Sequence, residues 1–151
     1  MTEPALKAAF IYNFAKFTDW PQKVLPATAA FVMCVLGDPA VSDALTRTVS
    51  GRELVGHRIS VSQVSAADPL TSCHILYLGG VSGADATRIV TPLRDVPVLT
   101  ISDADGFARR GGMTEFFVED GKMRFCINIE SARRPRLQLS SKLLALARCP
   151  G

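Results

Sequence analysis

Three short apolar runs constrain the fold of this chain more than any other feature. They are AAFVMCVLG (29–37), SCHILYLGG (72–80) and VPVLTISD (96–103). Continuous apolar runs of this length are typical of strands that are buried on both faces of a parallel sheet. Segments of helical character follow the first two runs, and HRISVSQV (57–64) alternates as a further strand. This alternation predicts right-handed βαβ units and a mainly parallel sheet.

The N-terminal segment PALKAAFIYNFAKF (4–17) predicts an amphipathic helix that ends before Pro21. Three phenylalanines share its apolar face: Phe10, Phe14 and Phe17. We expect this face to be part of the core. Three other residues lie off it: Tyr12, Asn13 and Trp20. We expect these three to face a second subunit or a partner protein.

The pattern changes after Asp103. MTEFFVEDGKMRFCINIE (113–130) has two β-rich runs around Asp-Gly, which predicts a hairpin, and SSKLLALAR (140–148) predicts a final helix capped by Ser140 or Ser141. We therefore predict an α/β fold with three layers. It has a mainly parallel sheet, flanking helices and a C-terminal β-hairpin plus helix, in a single domain over residues 1–151.

Composition excludes several classes of protein. The chain has 151 residues, 48% hydrophobic and 21% charged, with a formal net charge of +3, which fits a packed core and not a disordered chain. The positive charges are scattered, so we expect no nucleic-acid partner. No apolar run approaches the roughly 20 residues of a membrane span, so we expect no direct membrane insertion.

A glycine pair in ARRGGMTEFF marks the junction between the strand-helix units and the hairpin. We expect Gly111 and Gly112 to form a structural turn, since glycine adopts backbone conformations closed to other residues. The turn would leave Arg109, Arg110 and Met113 at the mouth of the hairpin. A purely architectural turn and a contact surface for a partner are both open at this point, because exposed Arg and Met are enriched at interfaces.

Two further stretches resemble ligand-binding elements. Gly80 and Ser82 lie between a strand and a helix, where anions often bind, but their spacing fits neither a dinucleotide fingerprint nor a P-loop. Asp103 follows a strand at the edge where open α/β sheets place ligands. We prefer a plain turn for the first and a helix cap for Asp103. A small-ligand receptor, with an anion cleft formed by Gly80, Ser82, Asp103 and Arg109, is the alternative.

Nothing in the sequence predicts catalysis or metal binding. His57 and His74 have no neighbouring nucleophile and no third metal ligand at a suitable spacing. Cys73 and His74 are adjacent on a strand and so point to opposite faces. We expect both histidines to be structural, and a hydrolase is disfavoured because a nucleophile–base pair is missing.

Several motifs, taken in order, resemble the YfiR family of bacterial periplasmic proteins. They are LKAAFIYNFAKFTDWP, VLGD, CHILYLG and the long C-terminal stretch from VLTISDADGFARRGGMTEFF to SSKLLALAR. The resemblance implies a dimer-forming α/β protein with no enzymatic activity and no cofactor. It implies that the protein represses the periplasmic sensor domain of an inner-membrane diguanylate cyclase, lowering cyclic-di-GMP and biofilm formation. It also implies a periplasmic location and export by a signal peptide, which is not visible in this sequence.

The four cysteines match no CxxC or zinc pattern, so packed thiols and disulfides are both open. The resemblance implies disulfides and gives Cys73 a bridging position, although no cysteine near Gly111 could be its partner. We expect Cys34, inside an apolar strand, to be a buried thiol. Cys126 alternates with apolar neighbours and faces the more polar side, where it could reach Cys149.

Overall fold

The structure, a computed structural model, describes residues 1–150 as alternating helices and strands. The helices of this part of the chain are α1 (Glu3–Lys16), α2 (Pro39–Val49), α3 (Gly83–Val90), α4 (Ile129–Arg133) and α5 (Ser141–Leu146). The strands are β1 (Thr18–Asp19), β2 (Phe31–Leu36), β3 (Glu53–Leu54), β4 (His57–Val64), β5 (Ile75–Leu78), β6 (Leu99–Ser102), β7 (Thr114–Glu119), β8 (Lys122–Ile127) and β9 (Gln138–Leu139).

Seven strands form one sheet in the order β3-β4-β2-β5-β6-β7-β8. The pairs from β4 through β7 are parallel, and the pairs β3-β4 and β7-β8 at the two edges are antiparallel. The predicted mainly parallel sheet with a C-terminal hairpin is therefore confirmed. Strand β3 and the small antiparallel pair β1-β9 have too few residues to give a period-2 pattern and were not predicted.

The sheet has helices on both faces, which confirms the predicted layers. In β2, Met33 and Val35 join the core cluster that includes residues of α1 and α2. The alternate residues Cys34 and Leu36 join a second cluster that includes residues of α3. Because successive side chains of a strand point to opposite faces, one apolar run supplies both cores.

The helices begin where the sequence offers a short polar side chain to cap them. Asp38 accepts a hydrogen bond from the backbone N–H of Val41, and Pro39 follows in the first turn of α2. Ser140, one of the two predicted caps, accepts from the N–H of Leu143 at the start of α5. The N-terminal helix α1 begins and ends one residue earlier than predicted.

The predicted apolar face of α1 packs on the hairpin. Phe14 is buried, whereas Phe10 and Phe17 are partly buried against the same cluster. The rings of Phe10 and Phe14 meet that of Phe125 edge to face, with centroids 6.0 and 5.0 Å apart. This packing ties the first helix to the last strands of the sheet, beside the double-glycine turn.

The candidate contact site at the double-glycine turn

The two glycines of the turn are required for different reasons. Gly111 has a φ of +102°, a left-handed conformation that other residues rarely adopt, although a Cβ at this position would point into open space. A Cβ at Gly112 would overlap the ring of Phe107, and the Gly112 N–H donates to the Phe107 carbonyl at 3.0 Å. The turn is thus built around a buried phenylalanine.

A buried carboxylate holds the segment between β6 and β7, residues 103–113, which we call the turn segment. Glu115 is only 5% exposed. Its Oε2 accepts from the N–H of Gly106 at 3.2 Å and its Oε1 from the N–H of Ala108 at 3.1 Å. The Asn128 side chain donates to the Ala108 carbonyl at 2.8 Å. The sequence did not predict this role of Glu115, because its partners are backbone groups that no short motif marks.

The two arginines of the turn are exposed and lie on different clefts. Arg109 lines a cleft of about 470 Å³ together with Glu115, Cys126 and Cys149. Arg110 lines a larger cleft on another side of the turn, and its guanidinium lies against the Cα of Gly83 at the start of α3. The turn therefore presents two exposed cations at its tip, each beside a different cleft.

Met113 does not reach the surface as expected. Its side chain is 3% exposed and belongs to the core cluster under α1. Its N–H donates to the hydroxyl of Thr100 at 3.1 Å. The residue lies directly between the turn and β7, and its side chain packs into the core. The expectation that Met113 is exposed was therefore wrong, because the residue is buried.

Two of the three residues expected to lie outside the core are also buried. Trp20 packs edge to face on Phe31, with ring centroids 4.8 Å apart, and its Nε1–H donates to the His74 carbonyl at 3.1 Å. Tyr12 is buried as well, with the cations of Lys16 and Arg52 over its ring.

Only Asn13 of the three is exposed. The helical face of α1 was assigned from the phenylalanine stripe alone. A second set of neighbours buries the flank of the helix, because α1 also packs against α2.

The expected ligand residues have structural partners instead. Ser82 caps α3 by accepting from the N–H of Asp85, and the backbone of Gly80, at a φ of +68°, approaches the carbonyl of Gly37. Asp103 does not cap a helix, which corrects the preferred interpretation. It accepts from the Nζ of Lys7 at 2.8 Å. Gly80, Ser82 and Asp103 are absent from the linings of three clefts in residues 1–150, including those of Arg109 and Arg110.

The Lys7–Asp103 pair joins α1 to the turn segment. Burial alone would lower the pKa of Lys7, but hydrogen bonds to Asp103 and Glu3 outweigh it and the pKa is raised. Burial, followed by the charge of Asp103, raises the pKa of Tyr77 beneath the pair. Lys7 therefore stays charged at neutral pH. Its aliphatic stem is the apolar part of the side chain, and its ammonium group meets the two carboxylates.

The described residues contain two disulfides and no free cysteine. Cys126 pairs with Cys149, which ties the segment after α5 to β8 beside the cleft of Arg109. Cys34 pairs with Cys73, so the expectation that Cys34 is a free buried thiol was wrong. Cys34 faces the α3 side of β2, and Cys73 reaches it from the segment that leads into the neighbouring strand β5.

The family model for YfiR/HmsC-like proteins matches residues 4–148. The chain belongs to the YfiR/HmsC-like family. This confirms the resemblance, and it covers the turn segment, the Cys34–Cys73 disulfide and all of helix α1 except Glu3. YfiR/HmsC-like proteins form a regulatory, non-catalytic family, and membership is consistent with a periplasmic regulator of a diguanylate cyclase.

Other features of the chain agree with this family context. Disulfides form in oxidising compartments, which favours the periplasm. No helix between residues 1 and 150 has the length and hydropathy needed to cross a membrane.

His74 has a structural setting, as expected. Its Nδ1 accepts from the Val32 N–H at 2.9 Å and its Nε2 donates to the Val24 carbonyl at 2.8 Å. Burial lowers the pKa of His74, which keeps the ring neutral. His57 hydrogen-bonds the Ala29 carbonyl through Nδ1.

Proposed function

We propose that this protein is a periplasmic regulator that binds the periplasmic sensor domain of an inner-membrane diguanylate cyclase and represses it. Repression would lower cyclic-di-GMP and biofilm formation. The observation that carries the proposal is the family match over residues 4–148, which spans nearly the whole chain. The two disulfides support it, since they suit a protein that works in an oxidising compartment.

The proposed contact surface is the exposed tip of the turn segment, with Arg109, Arg110 and Gly111. Arginine is enriched among residues that dominate binding energy at protein interfaces. The backbone beneath the two arginines is held by the hydrogen bonds of Glu115 and Asn128. A pre-organised backbone loses less conformational entropy on binding, so a tip of this kind suits recognition.

Buried residues contribute to this surface only from beneath. Met113 supports the turn from the core, and Tyr12 and Trp20 fix the first helix. Asn13 is the residue of that helix that we propose as a direct contact, either with the cyclase or with a second copy of the chain. We also propose that the chain acts as one YfiR-like domain and as a homodimer. Light scattering of the purified protein at micromolar concentration tests the dimer, and a monomer there would contradict it.

The test of the proposed function starts from membranes of the host. The exported protein is used as bait for detergent-solubilised membranes without reductant, and captured proteins are identified by mass spectrometry. We expect recovery of an inner-membrane protein with a periplasmic sensor and a cyclase domain. The purified cyclase, reconstituted in nanodiscs, should then make cyclic-di-GMP more slowly when the protein is added. A cyclase that binds without slowing contradicts repression, and no enrichment over a control bait contradicts the partner.

Matched variants test the contact surface. Arg109→Glu combined with Arg110→Glu reverses the charge of the tip, and we expect at least about tenfold weaker binding, or 1.4 kcal/mol. Arg47→Glu changes one exposed arginine on α2, away from the turn, and should bind as the unchanged protein does. Thermal unfolding of all three proteins checks that the fold survives. If the double variant folds and binds with unchanged affinity, the turn is architectural only.

A further inference from the structure

The larger cleft beside the turn lies between the C-terminal end of α3 and the helix α4. It has a volume of about 980 Å³. Clefts of about 300–1,000 Å³ are the usual size of small-molecule sites. Four elements form its walls: the end of α3 with the turn after it, β6, the tip of the turn segment, and α4 with the residue that precedes it. The sequence suggested Gly80, Ser82 and Asp103 as ligand-binding residues, and none of these three lines this cleft.

Positive charge dominates the lining of this cleft. Four arginines line it: Arg94, Arg110, Arg133 and Arg134. Only Arg134 forms an ion pair within residues 1–150, with Asp95. The one carboxylate in the lining is Glu130. Three guanidinium groups that form no ion pair therefore border one concave surface, where a bound anion would reduce their mutual repulsion.

The position of Arg110 is the least explained by stability. Its guanidinium lies against Gly83, the first residue of α3, where a Cβ would overlap it. A cation at the N-terminus of a helix meets the positive end of the helix dipole, which is unfavourable. Gly83 also lowers helix stability relative to alanine. Both features hold this guanidinium at the N-terminal end of α3 at a cost to the fold, while Arg110 also lines the cleft.

The rest of the lining is suited to an organic molecule. The buried side chains of Val90, Leu93 and Met113 form an apolar floor beneath the cleft, and Thr91 and Ser131 contribute hydroxyl groups. A guanidinium group binds carboxylate and phosphate oxygens through paired N–H donors. Three such groups exceed what one carboxylate needs, which indicates a ligand with two negative charges and an apolar body.

We propose that this cleft is a binding site for a small organic dianion with an apolar body, of the phosphate monoester or dicarboxylate type. Arg94, Arg110 and Arg133 bind the charged group, and Leu93 with its apolar neighbours contacts the body. The site adjoins the proposed cyclase contact and shares Arg110 and Gly111 with it, whereas Arg109 lies outside the lining. The binding of such a ligand is measured on the purified protein alone, so its failure does not depend on the cyclase.

Isothermal titration calorimetry of the full chain at low ionic strength tests the site with three probes: phenyl phosphate, phthalate and inorganic phosphate. We expect saturable binding with one site per chain for at least one organic probe, and weaker binding of inorganic phosphate. Tighter binding of phenyl phosphate would assign the ligand to the monoesters, and tighter binding of phthalate to the dicarboxylates. Equal affinity for inorganic phosphate would overturn the proposal that the ligand has an apolar body. The absence of saturable binding for all three probes would overturn the proposal that the cleft is a binding site.

Three variants locate the binding. Arg110→Ala removes one cation, and Gly83→Ala displaces the same guanidinium without changing the charge of the protein. We expect each to raise the Kd by about tenfold, or 1.4 kcal/mol. Arg47→Ala removes an exposed arginine of α2 and should leave the Kd unchanged. Thermal unfolding without probe checks the fold of each variant. Equal weakening by Arg110→Ala and Arg47→Ala would show nonspecific attraction and overturn the proposal.

Discussion

Glu115 offers the sharpest test of how the turn segment is held. Glu115→Ala removes the acceptor of two backbone N–H groups, those of Gly106 and Ala108. A hydrogen bond to a charged group contributes about 1.5–3 kcal/mol, and a buried donor left without a partner is costly. We expect the free energy of unfolding to fall by about 3 kcal/mol, the lower end of the sum for two bonds. Glu115→Gln keeps one acceptor and should cost about half as much.

Urea denaturation followed by tryptophan fluorescence measures this change, because Trp20 is the single tryptophan and is buried. With a urea dependence of about 2 kcal/mol/M, Glu115→Ala should lower the midpoint by about 1.5 M. Glu119→Ala is the matched control on the same strand. Its ion pair with Arg148 lies at the surface and is partly exposed, so its loss should cost less than about 1 kcal/mol. Equal midpoints for the two alanine variants would refute the anchoring role of Glu115.

Three further perturbations have directions set by the structure. Gly112→Ala should lower the free energy of unfolding by about 1–3 kcal/mol, because a Cβ would overlap the Phe107 ring; an unchanged thermal midpoint would contradict this packing. Burial lowers the pKa of His74 from 6.5, and its Nδ1 accepts from Val32, so stability should fall as the pH drops below 6.5. Urea midpoints from neutral pH to about pH 5 measure this loss, and His74→Gln should reduce the slope. Despite burial, two carboxylate partners raise the pKa of Lys7 above 10.5, so the free energy of unfolding should fall as the pH rises beyond 10.5. In Lys7→Met this fall should be less steep. Identical alkaline profiles of the two proteins would count against the pair.

The succession of elements was predictable from local patterns. Apolar runs closed by glycine predicted β2 and β5, and the Asp-Gly pair predicted the hairpin, whose turn has positive φ at Asp120 and Gly121. Helix starts followed from capping residues such as Asp38 and Ser140. These signals act within a few residues of the chain, so the sequence alone contains them.

The candidate site was only partly predictable, because its key contacts join distant parts of the chain. Glu115 reaches back to backbone groups of the turn segment, and no short motif marks such a bond. Lys7 and Asp103 are 96 residues apart in sequence. The pairing of Cys34 with Cys73 likewise depends on the adjacency of β2 and β5.

Burial was misjudged where one element packs on more than one side. The phenylalanine stripe of α1 was assigned correctly to the core, but Tyr12 and Trp20 were expected outside it and lie inside. A helical period identifies the most apolar face of a helix and does not show how wide the buried surface is. That width depends on the neighbours that the fold brings to the helix.

The sequence by itself determined the α/β class, the order of the longer strands and helices, and the need for glycine at the turn before the hairpin, because these depend on periodicity, capping and backbone sterics within short segments. The tertiary structure decided which arginines share a cleft, which polar side chains are used up as caps and ion pairs, and which cysteines pair. These depend on how the parallel sheet aligns strand ends and helix termini that are far apart in the chain.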